Sequence, residues 1–202
     1  MTNNLKQPQR PVDHRAKPAR TEVKAYNIPQ EIKDQRQWVV WRYEPNKQSR
    51  WTKVPYQAEN PSHRGSSTNK EKWASFAAAH TAYHENPDLD GIGFVVAKDD
   101  GITGVDLDHC IDEEGKLLPW AQEIVDHLDS YTEITPSGKG LRIFVEGKLP
   151  GTRHKKGKIE VYDNARFLTV TGHQLLNAPA FVQDRQEQRS EERRVGKECS
   201  VT

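Results

Sequence analysis

The sequence predicts an α+β domain built on a largely antiparallel sheet. Three observations lead to this class. Short runs of aromatic and β-branched residues recur along the chain and are typical of strands. Two segments of helical composition separate these runs into groups. Turn-forming residues such as Asp-Asp-Gly lie between neighbouring runs, which favours hairpins over the long crossovers that parallel strands need.

The N-terminal half should contain a short helix or turn, a hairpin and then a longer helix. IPQEIKDQ at 28–35 predicts the first of these. QWVVWRYE at 37–44 and WTKVPY at 51–56 predict two paired strands with PNKQSR between them. After a loop, NKEKWASFAAAHTAYH at 69–84 is alanine-rich and has apolar residues at spacings of three and four, which predicts a helix. Its candidate capping residues are Ser67, Thr68 and Asn69.

The C-terminal half begins with GIGFVVA at 91–97 and ITGVDLDHC at 102–110. Because KDDG separates these two runs, they predict a hairpin. PWAQEIVDHLDS at 119–130 predicts an amphipathic helix with a proline in its first turn. The remaining predicted strands are YTEIT, LRIFVEG and KIEVYD, the last running on through a turn to RFLTVTG.

The two ends of the chain differ from this body, which should span residues 25–180. Residues 1–24 carry many Lys, Arg, Pro and Gln residues and almost no large apolar ones, so they predict a disordered basic arm. Residues 181–202 form a tail. From Arg189 onward the tail has no hydrophobic periodicity, and residues 189–199 resemble a translated sequencing-library adapter. The tail from Arg189 is therefore interpreted as an artefact, and an ordinary charged tail is the alternative.

Composition sets broad limits on location and chemistry. The formal net charge is only +1, so the overall charge does not indicate a nucleic-acid partner. No apolar run approaches membrane-spanning length and no signal-peptide centre is present, which predicts a soluble, cytoplasmic protein without a membrane partner. Without the artefactual tail Cys110 is the one cysteine, which excludes an intramolecular disulfide and fits a reducing compartment.

The stretch GITGVDLDHC places two carboxylates in a run that otherwise has the composition of a buried strand. Because side chains alternate between the two faces of a strand, Asp106 and Asp108 share the face opposite Val105 and Leu107. Carboxylates this close repel each other unless a metal ion, an arginine or a lysine neutralises them. A strand face that is simply charged and solvated is the alternative.

A second polar group follows in TPSGKGLRIFV and KIEVYD. Arg142 and Glu160 each interrupt an apolar strand. If the three strands are neighbours, the charges of four residues converge on one face, namely Asp106, Asp108, Arg142 and Glu160. Just before Arg142 lies a small cationic turn, in which Lys139 adds charge and backbone N–H groups can approach a phosphate. An ordinary hairpin loop is the alternative. The turn consists of Ser137, Gly138, Lys139 and Gly140.

Three carboxylates around two divalent ions is the arrangement that a polymerase active site needs. One ion lowers the pKa of a primer 3′-hydroxyl, and the other holds the triphosphate. Hard oxygen ligands select Mg²⁺ or Mn²⁺ over metals that prefer softer ligands. Asp106, Asp108 and Glu160 are therefore the candidate metal ligands.

These motifs together resemble a known family. GITGVDLDHC, SYTEITPSGKGLRIFVEG and KIEVYDNARFLTVTGHQL, in this order, resemble the primase-polymerases of the archaeo-eukaryotic primase superfamily, especially those of phages, plasmids and other mobile elements. QWVVW, TKVPY and KWASFAAA also fit, so the resemblance covers roughly residues 27–176. It implies a catalytic core with a sheet like that of RNA-recognition motifs (RRMs), helices on one face and the active site on the other.

The resemblance assigns roles to individual residues. It makes Asp106 and Asp108 metal ligands, and its third acidic position falls on Glu160, with Asp163 as the alternative. The family's second motif has a histidine where this chain has Arg142. An arginine can bind phosphates bidentately with a permanent charge, but it cannot act as a neutral imidazole. The departure puts the strength of catalysis in doubt more than the fold.

Two further groups are candidate contacts to substrate. ARFLTVTGH supplies phosphate or sugar contacts from Arg166, Thr169, Thr171 and His173, with a solvated strand face as the alternative. GTRHKKGK supplies a basic cluster that can follow a template backbone, with a solvated loop as the alternative. This cluster consists of Arg153, Lys155, Lys156 and Lys158.

The resulting hypothesis is a DNA primase/polymerase domain that performs metal-dependent, template-directed nucleotidyl transfer in the replication of a phage or mobile element. Its partners would be nucleoside triphosphates, a single-stranded DNA template and a helicase domain beyond the C-terminus. A catalytically inactive nucleotide- or DNA-binding module of the same fold is the alternative. A sugar transferase using Asp-x-Asp is disfavoured because the sequence lacks a parallel β-α alternation. Lys53 and Arg64 could reach the site, but no local pattern decides their role.

Overall fold

The computed structural model describes residues 16–98, 100–147 and 155–185. In this part of the chain, no helix is long and apolar enough to cross a lipid bilayer. The helices are α1 (Gln30–Lys33), α2 (Phe76–Glu85) and α3 (Pro119–Leu128), with short 3₁₀ helices at Ala25–Asn27 and Lys70–Lys72. The strands are β1 (Trp38–Pro45), β2 (Trp51–Tyr56), β3 (Gly91–Val96), β4 (Ile102–Leu107), β5 (Thr132–Ile134), β6 (Leu141–Glu146), β7 (Lys155–Lys156), β8 (Ile159–Tyr162), β9 (Arg166–Val170) and β10 (Gln183–Asp184).

The strands form two sheets. The first has the order β2-β1-β3-β9, and all of its pairs are antiparallel. The second has the order β10-β6-β4-β8-β7, with β5 also pairing with β6. Its pairs are antiparallel except for the short parallel pairing of β10 with β6. The predicted α+β class with largely antiparallel strands is confirmed, whereas the division into two sheets was not predicted.

The chain passes from the first sheet to the second between β3 and β4, so the hairpin predicted for these two strands is wrong. The carboxylate of Asp100 accepts hydrogen bonds from the backbone N–H groups of Ala97, at 2.7 Å, and Ile102, at 2.8 Å. These bonds hold a bend at which the chain leaves one sheet and enters the other. The chain returns between β8 and β9, since β8 pairs with β4 while β9 pairs with β3.

The main hydrophobic core contains side chains from both sheets and from α2. Trp38 and Phe94 of the first sheet and Phe144 of the second are fully buried in it, together with Ala79 of α2. A Cβ atom at Gly104 of β4 would lie 2.2 Å from Cδ1 of Leu168 on β9. A side chain at this position would therefore displace a core residue of the opposite sheet.

A second core lies on the other side of the second sheet. There α3 packs Ala121 and Val125 against an apolar face that includes Val105 and Leu107 of β4. This is the face that the alternation in GITGVDLDHC predicts for the two apolar residues. Because α3 covers the apolar face, the polar residues of the same strands lie on the opposite face.

Helix α2 begins later than the sequence predicts. Asn69 caps the 3₁₀ helix Lys70–Lys72, accepting from the N–H of Glu71 at 3.0 Å. Ala74 then pairs with Trp38 through two backbone hydrogen bonds, at 2.8 and 3.0 Å, which holds the chain outside the helix. Ser75 caps α2 instead, and its hydroxyl accepts from the N–H of Ala78 at 3.2 Å.

Part of the predicted N-terminal arm packs on the body. The N–H of Thr21 donates to the carbonyl of Asp90 at 3.0 Å. The guanidinium of Arg20 lies 3.9 Å above the ring centroid of Tyr83. Residues 20–24 therefore have polar partners on the body that composition does not reveal.

The described chain also continues beyond residue 180. Val182 is buried in the main core, and β10 pairs with β6. Nε of Arg185 donates to the carbonyl of Leu128 at 2.7 Å. The first residues of the predicted tail are thus packed against the second sheet. The remaining division into arm, domain and tail stays a prediction.

Candidate active site between the two sheets

A row of five charged residues crosses the second sheet, one on each of five neighbouring strands. Asp106 on β4 is the direct cross-strand partner of Arg142 on β6 and of Glu160 on β8. At the two ends of the row, Glu133 on β5 is the partner of Arg142, and Lys155 on β7 is the partner of Glu160. Directly opposite residues share one face of a sheet. The charges therefore converge on the face that α3 leaves uncovered.

A pocket of about 780 Å³ opens on this face. Asp106, Arg142 and Glu160 line it from the second sheet, and Asp108 lines it from the turn after β4. The edge strands of the first sheet, the loop after β2 and the turn after β5 supply the other walls. Lining residues from these walls include Lys53, Ser66, Ser67, Arg166, Phe167 and Thr169.

Arg142 is bound by the protein itself. Its Nε donates to Oδ1 of Asp106 at 2.7 Å, and its Nη2 forms an ion pair with the same oxygen at 2.7 Å. Its Nη1 donates to Oγ1 of Thr169 at 2.7 Å and to the carbonyl of Thr169. All three guanidinium nitrogens therefore have protein partners. The predicted phosphate contact of Arg142 stays a prediction, and in this geometry its charge neutralises Asp106.

Glu160 is also paired with a cation. Nζ of Lys155 donates to Oε1, the hydroxyl of Tyr162 donates to Oε2, and Nη2 of Arg166 lies 3.9 Å from Oε2. The hydrogen bond from Lys155 is the largest effect that lowers the pKa of Glu160. Burial, together with the bond to Glu160, raises the pKa of Tyr162 to about 12.

Asp108 lies one residue beyond the end of β4 and is exposed to the pocket. Its N–H donates to the carbonyl of Lys158 at 2.8 Å, which holds the turn beside β8. Asp163 does not line the pocket. Of the two residues considered for the third acidic position, Glu160 is therefore the one that lies beside Asp106 and Asp108.

Lys53 is a pocket residue whose role the sequence leaves undecided. It lies on β2, is half-buried and lines the pocket opposite the acidic residues. Burial lowers its pKa to about 8, and the positive charge of Arg142 adds to this shift, while Asp106 and Asp108 oppose it. Arg64, the other undecided residue, instead forms an ion pair with Glu44 at 2.6 Å.

The turn before Arg142 packs against the end of β4. A Cβ atom at Gly140 would lie 2.8 Å from the carbonyl oxygen of Leu107, so glycine permits this close approach. The carbonyl of Lys139 accepts from the N–H of Cys110 at 2.9 Å. Ser137 lines the pocket, whereas Gly138, Lys139 and Gly140 do not.

The other predicted contact residues divide between the pocket and the rest of the surface. Arg166 and Thr169 line the pocket. Thr171 and His173 do not: the hydroxyl of Thr171 donates to the carbonyl of Ile134 at 2.8 Å, and Nε2 of His173 lies 3.2 Å from the carbonyl of Glu22. In the basic cluster, Lys155, Lys156 and Lys158 are exposed, and Arg153 lies outside the described residues.

Glu133 is a buried acid for which the sequence predicts only a place on a strand. Its Oε2 accepts from the Tyr131 hydroxyl at 2.9 Å and from the N–H of Gly172 at 2.8 Å, and its Oε1 accepts from the N–H of Thr171 at 3.0 Å. Burial raises its pKa, while the nearby charge of Arg142 opposes the shift. The feature of the sequence that singles out Glu133 is its alternation with Thr132 and Ile134 in YTEIT, which places Glu133 on the opposite face of the strand from those two residues.

The acids of the pocket offer the hard oxygen donors that Mg²⁺ and Mn²⁺ prefer. In this geometry, however, Asp106 is bound by Arg142 and Glu160 by Lys155. Among the described residues, no group of three or more His, Cys, Asp or Glu side chains is arranged to hold one metal ion. Asp106, Asp108 and Glu160 therefore do not form a preassembled metal site.

Comparison with known proteins gives one informative relative. No protein-family model matches the chain. A protein named DNA Primase-polymerase, from Nitratiruptor phage NrS-1, is 38% identical to it over 146 residues, which are 67% of this chain and 19% of that protein. The chain thus spans about a fifth of the length of the curated relative that it matches. Over this region the chain is homologous to part of a phage DNA primase-polymerase.

Proposed function

We propose that the pocket between the two sheets is the nucleotidyl-transfer site of a DNA primase-polymerase. In this reaction a primer 3′-hydroxyl attacks a nucleoside triphosphate paired with a single-stranded DNA template, and pyrophosphate leaves. The observation that carries the proposal is the convergence of Asp106, Asp108 and Glu160 in a pocket that also contains Lys53 and Arg166. Homology to a phage primase-polymerase supports the same activity.

The cationic and hydroxyl side chains of the pocket would bind the triphosphate. Lys53 supplies a point charge from β2, and Arg166 supplies a guanidinium that can bind phosphate oxygens in pairs. Ser137 and Thr169 add hydroxyl groups to the pocket wall. The volume of about 780 Å³ lies within the usual range for small-molecule sites. Lys156 and Lys158 are exposed, as template-backbone contacts require.

Asp106, Asp108 and Glu160 would hold Mg²⁺ or Mn²⁺ in the working site. A bound divalent ion supplies charge that lowers the pKa of the attacking hydroxyl and stabilises the leaving pyrophosphate. In the described geometry Arg142 is paired with Asp106 and Lys155 with Glu160. The proposal also includes a helicase partner, a role in replication of a phage or mobile element, and a cytoplasmic location. These three parts of the proposal rest on the family resemblance.

A second candidate function is binding of nucleotide or DNA without chemistry. The observation that favours it is the ion pair between Asp106 and Arg142, which neutralises one proposed metal ligand inside the protein. A module of this kind would keep the cationic walls of the pocket and bind a triphosphate. It would not extend a primer, even with Mn²⁺ present.

Incorporation of nucleotides on a primed single-stranded DNA template tests the two functions. We expect the full chain to extend the primer with Mg²⁺ or Mn²⁺, and Asp108→Ala to reduce the rate by at least about a hundredfold, a typical loss when a reaction loses part of its electrostatic stabilisation. Asp126→Ala is the matched control, because Asp126 is an exposed acid on α3, on the far side of the second sheet. Nucleotide binding by a folded chain that never extends the primer would favour the binding module.

A further inference from the structure

The two inner carboxylates of the charged row oppose each other directly. Asp106 and Glu160 are cross-strand partners on β4 and β8, and like charges in that position destabilise a sheet. Each has a cation on its outer side, Arg142 beside Asp106 and Lys155 beside Glu160. The protein therefore neutralises the row with its own side chains.

The two cations are held very differently. The side chain of Arg142 is 7% exposed, and its three guanidinium nitrogens contact Asp106 and Thr169. The side chain of Lys155 is 63% exposed and lies on the two-residue strand β7. Its ammonium is carried on a flexible stem and is readily hydrated. Lys155 can therefore leave its carboxylate for water at little cost, whereas Arg142 cannot.

A divalent ion and the Lys155 ammonium would compete for the same oxygen. The ammonium contacts Oε1 of Glu160, so an ion coordinated by that oxygen would bring two positive charges together. Glu160 keeps other polar neighbours when Lys155 leaves, because the Tyr162 hydroxyl donates to Oε2 and Arg166 lies near the same oxygen. Release of Lys155 would thus leave the carboxylate oriented toward the pocket.

We propose that Lys155 is an exchangeable counter-ion of the candidate metal site. It binds Glu160 when no divalent ion is present and leaves when Mg²⁺ or Mn²⁺ binds, while Arg142 stays on Asp106. This inference rests on the proposed function, since it concerns the same three acids. It explains how Glu160, which is paired with Lys155 in the described geometry, can still serve a metal-dependent reaction.

Lys156 provides a matched control. It is the next residue on β7, it is also exposed, and its cross-strand partner is Ile159 rather than Glu160. Because side chains alternate along a strand, the two lysines project to opposite faces. Lys155→Met and Lys156→Met therefore change the net charge equally, and only Lys155→Met removes the ion pair.

The test is a titration of the full chain with Mn²⁺, without nucleotide or DNA, in which electron paramagnetic resonance measures the unbound ion. We expect Lys155→Met to lower the Kd for Mn²⁺ by about two- to fivefold, the scale of a surface ion pair. Lys156→Met should change the Kd for Mn²⁺ less than Lys155→Met does. A second measurement uses the wild-type chain, in which saturating Mg²⁺ should increase acetylation of Lys155 relative to Lys156, as measured by mass spectrometry.

The outcomes separate this inference from the function on which it rests. Equal Mn²⁺ affinity in the two lysine variants, with primer extension that still depends on Asp108, overturns the counter-ion role and leaves the proposed function standing. Unchanged acetylation of Lys155 at saturating Mg²⁺ also overturns it. If no variant binds Mn²⁺ and none extends a primer, both the inference and the proposed function fail.

Discussion

Arg142 and Asp106 face each other across β6 and β4, with Nε and Nη2 of the arginine both 2.7 Å from Oδ1 of the aspartate. The two side chains are only 7% and 14% exposed. The sequence requires a cation beside the aspartates of GITGVDLDHC, and for Asp106 an arginine from the neighbouring strand meets that requirement. The candidate site is therefore charge-balanced on this side before any ligand binds.

Removing Arg142 should destabilise the protein. In Arg142→Met the carboxylate of Asp106 would stay largely buried beside Glu160 without its cation, and such a change costs about 3 kcal/mol of unfolding free energy. Equilibrium unfolding in urea measures the loss. Asp106→Asn removes the uncompensated charge, so the double variant Arg142→Met/Asp106→Asn should lose less unfolding free energy than the two single variants together. If the free-energy losses of the two single variants simply add up in the double variant, the two residues are not coupled.

Lys53 should make nucleotide binding depend on pH. Its pKa is lowered to about 8, so the charged form that attracts phosphate predominates below that pH and is lost as the pH rises through it. Affinity for a nucleoside triphosphate should fall by about five- to tenfold between pH 7 and pH 9, since tenfold corresponds to one pKa unit of differential interaction. Titration with a fluorescent nucleotide at each pH measures this fall.

Lys53→Arg is the control for that prediction, because arginine keeps its charge over the whole range. Its affinity should stay nearly constant between pH 7 and pH 9. A wild-type profile that coincides with that of Lys53→Arg would rule out titration of Lys53 as the cause. The comparison thereby separates Lys53 from ionisation of the nucleotide itself, which affects both proteins equally.

Gly140 should be required for the position of the turn that lines the pocket. A Cβ atom there would lie 2.8 Å from the carbonyl of Leu107 and 3.1 Å from Oγ1 of Thr135. Gly140→Ala would push the turn and Ser137 away from the end of β4, with an overpacking cost of about 1–3 kcal/mol. We expect nucleotide affinity and unfolding free energy to fall together, as measured by nucleotide titration and urea unfolding.

Gly115→Ala controls for strain alone. Gly115 has a φ of +80°, and a Cβ atom there would meet nothing within 4 Å. This variant should lose about 1 kcal/mol of stability and keep its nucleotide affinity. If Gly140→Ala binds nucleotide as tightly as the wild type, the turn does not contribute to the pocket in the way its packing indicates.

Local patterns in the sequence were sufficient for much of the fold. The aromatic and β-branched composition of QWVVWRYE and the pairing of that run with WTKVPY predicted β1 and β2, and the proline and apolar spacing of PWAQEIVDHLDS predicted α3. The alternation in GITGVDLDHC predicted that Val105 and Leu107 face a core while Asp106 faces away from it. These features depend on residues a few positions apart, so the local sequence carries the physical information that determines them.

By itself the sequence determined the elements, the charged positions on their polar faces and the family resemblance. Only the tertiary structure decided that β3 and β4 belong to different sheets, that Arg142 binds Asp106, that Lys53 enters the pocket and that Glu133 is buried. Each of these depends on contacts between segments remote in the chain, whose energies arise from packing and burial. Periodicity within one segment carries no record of which distant segment will lie against it.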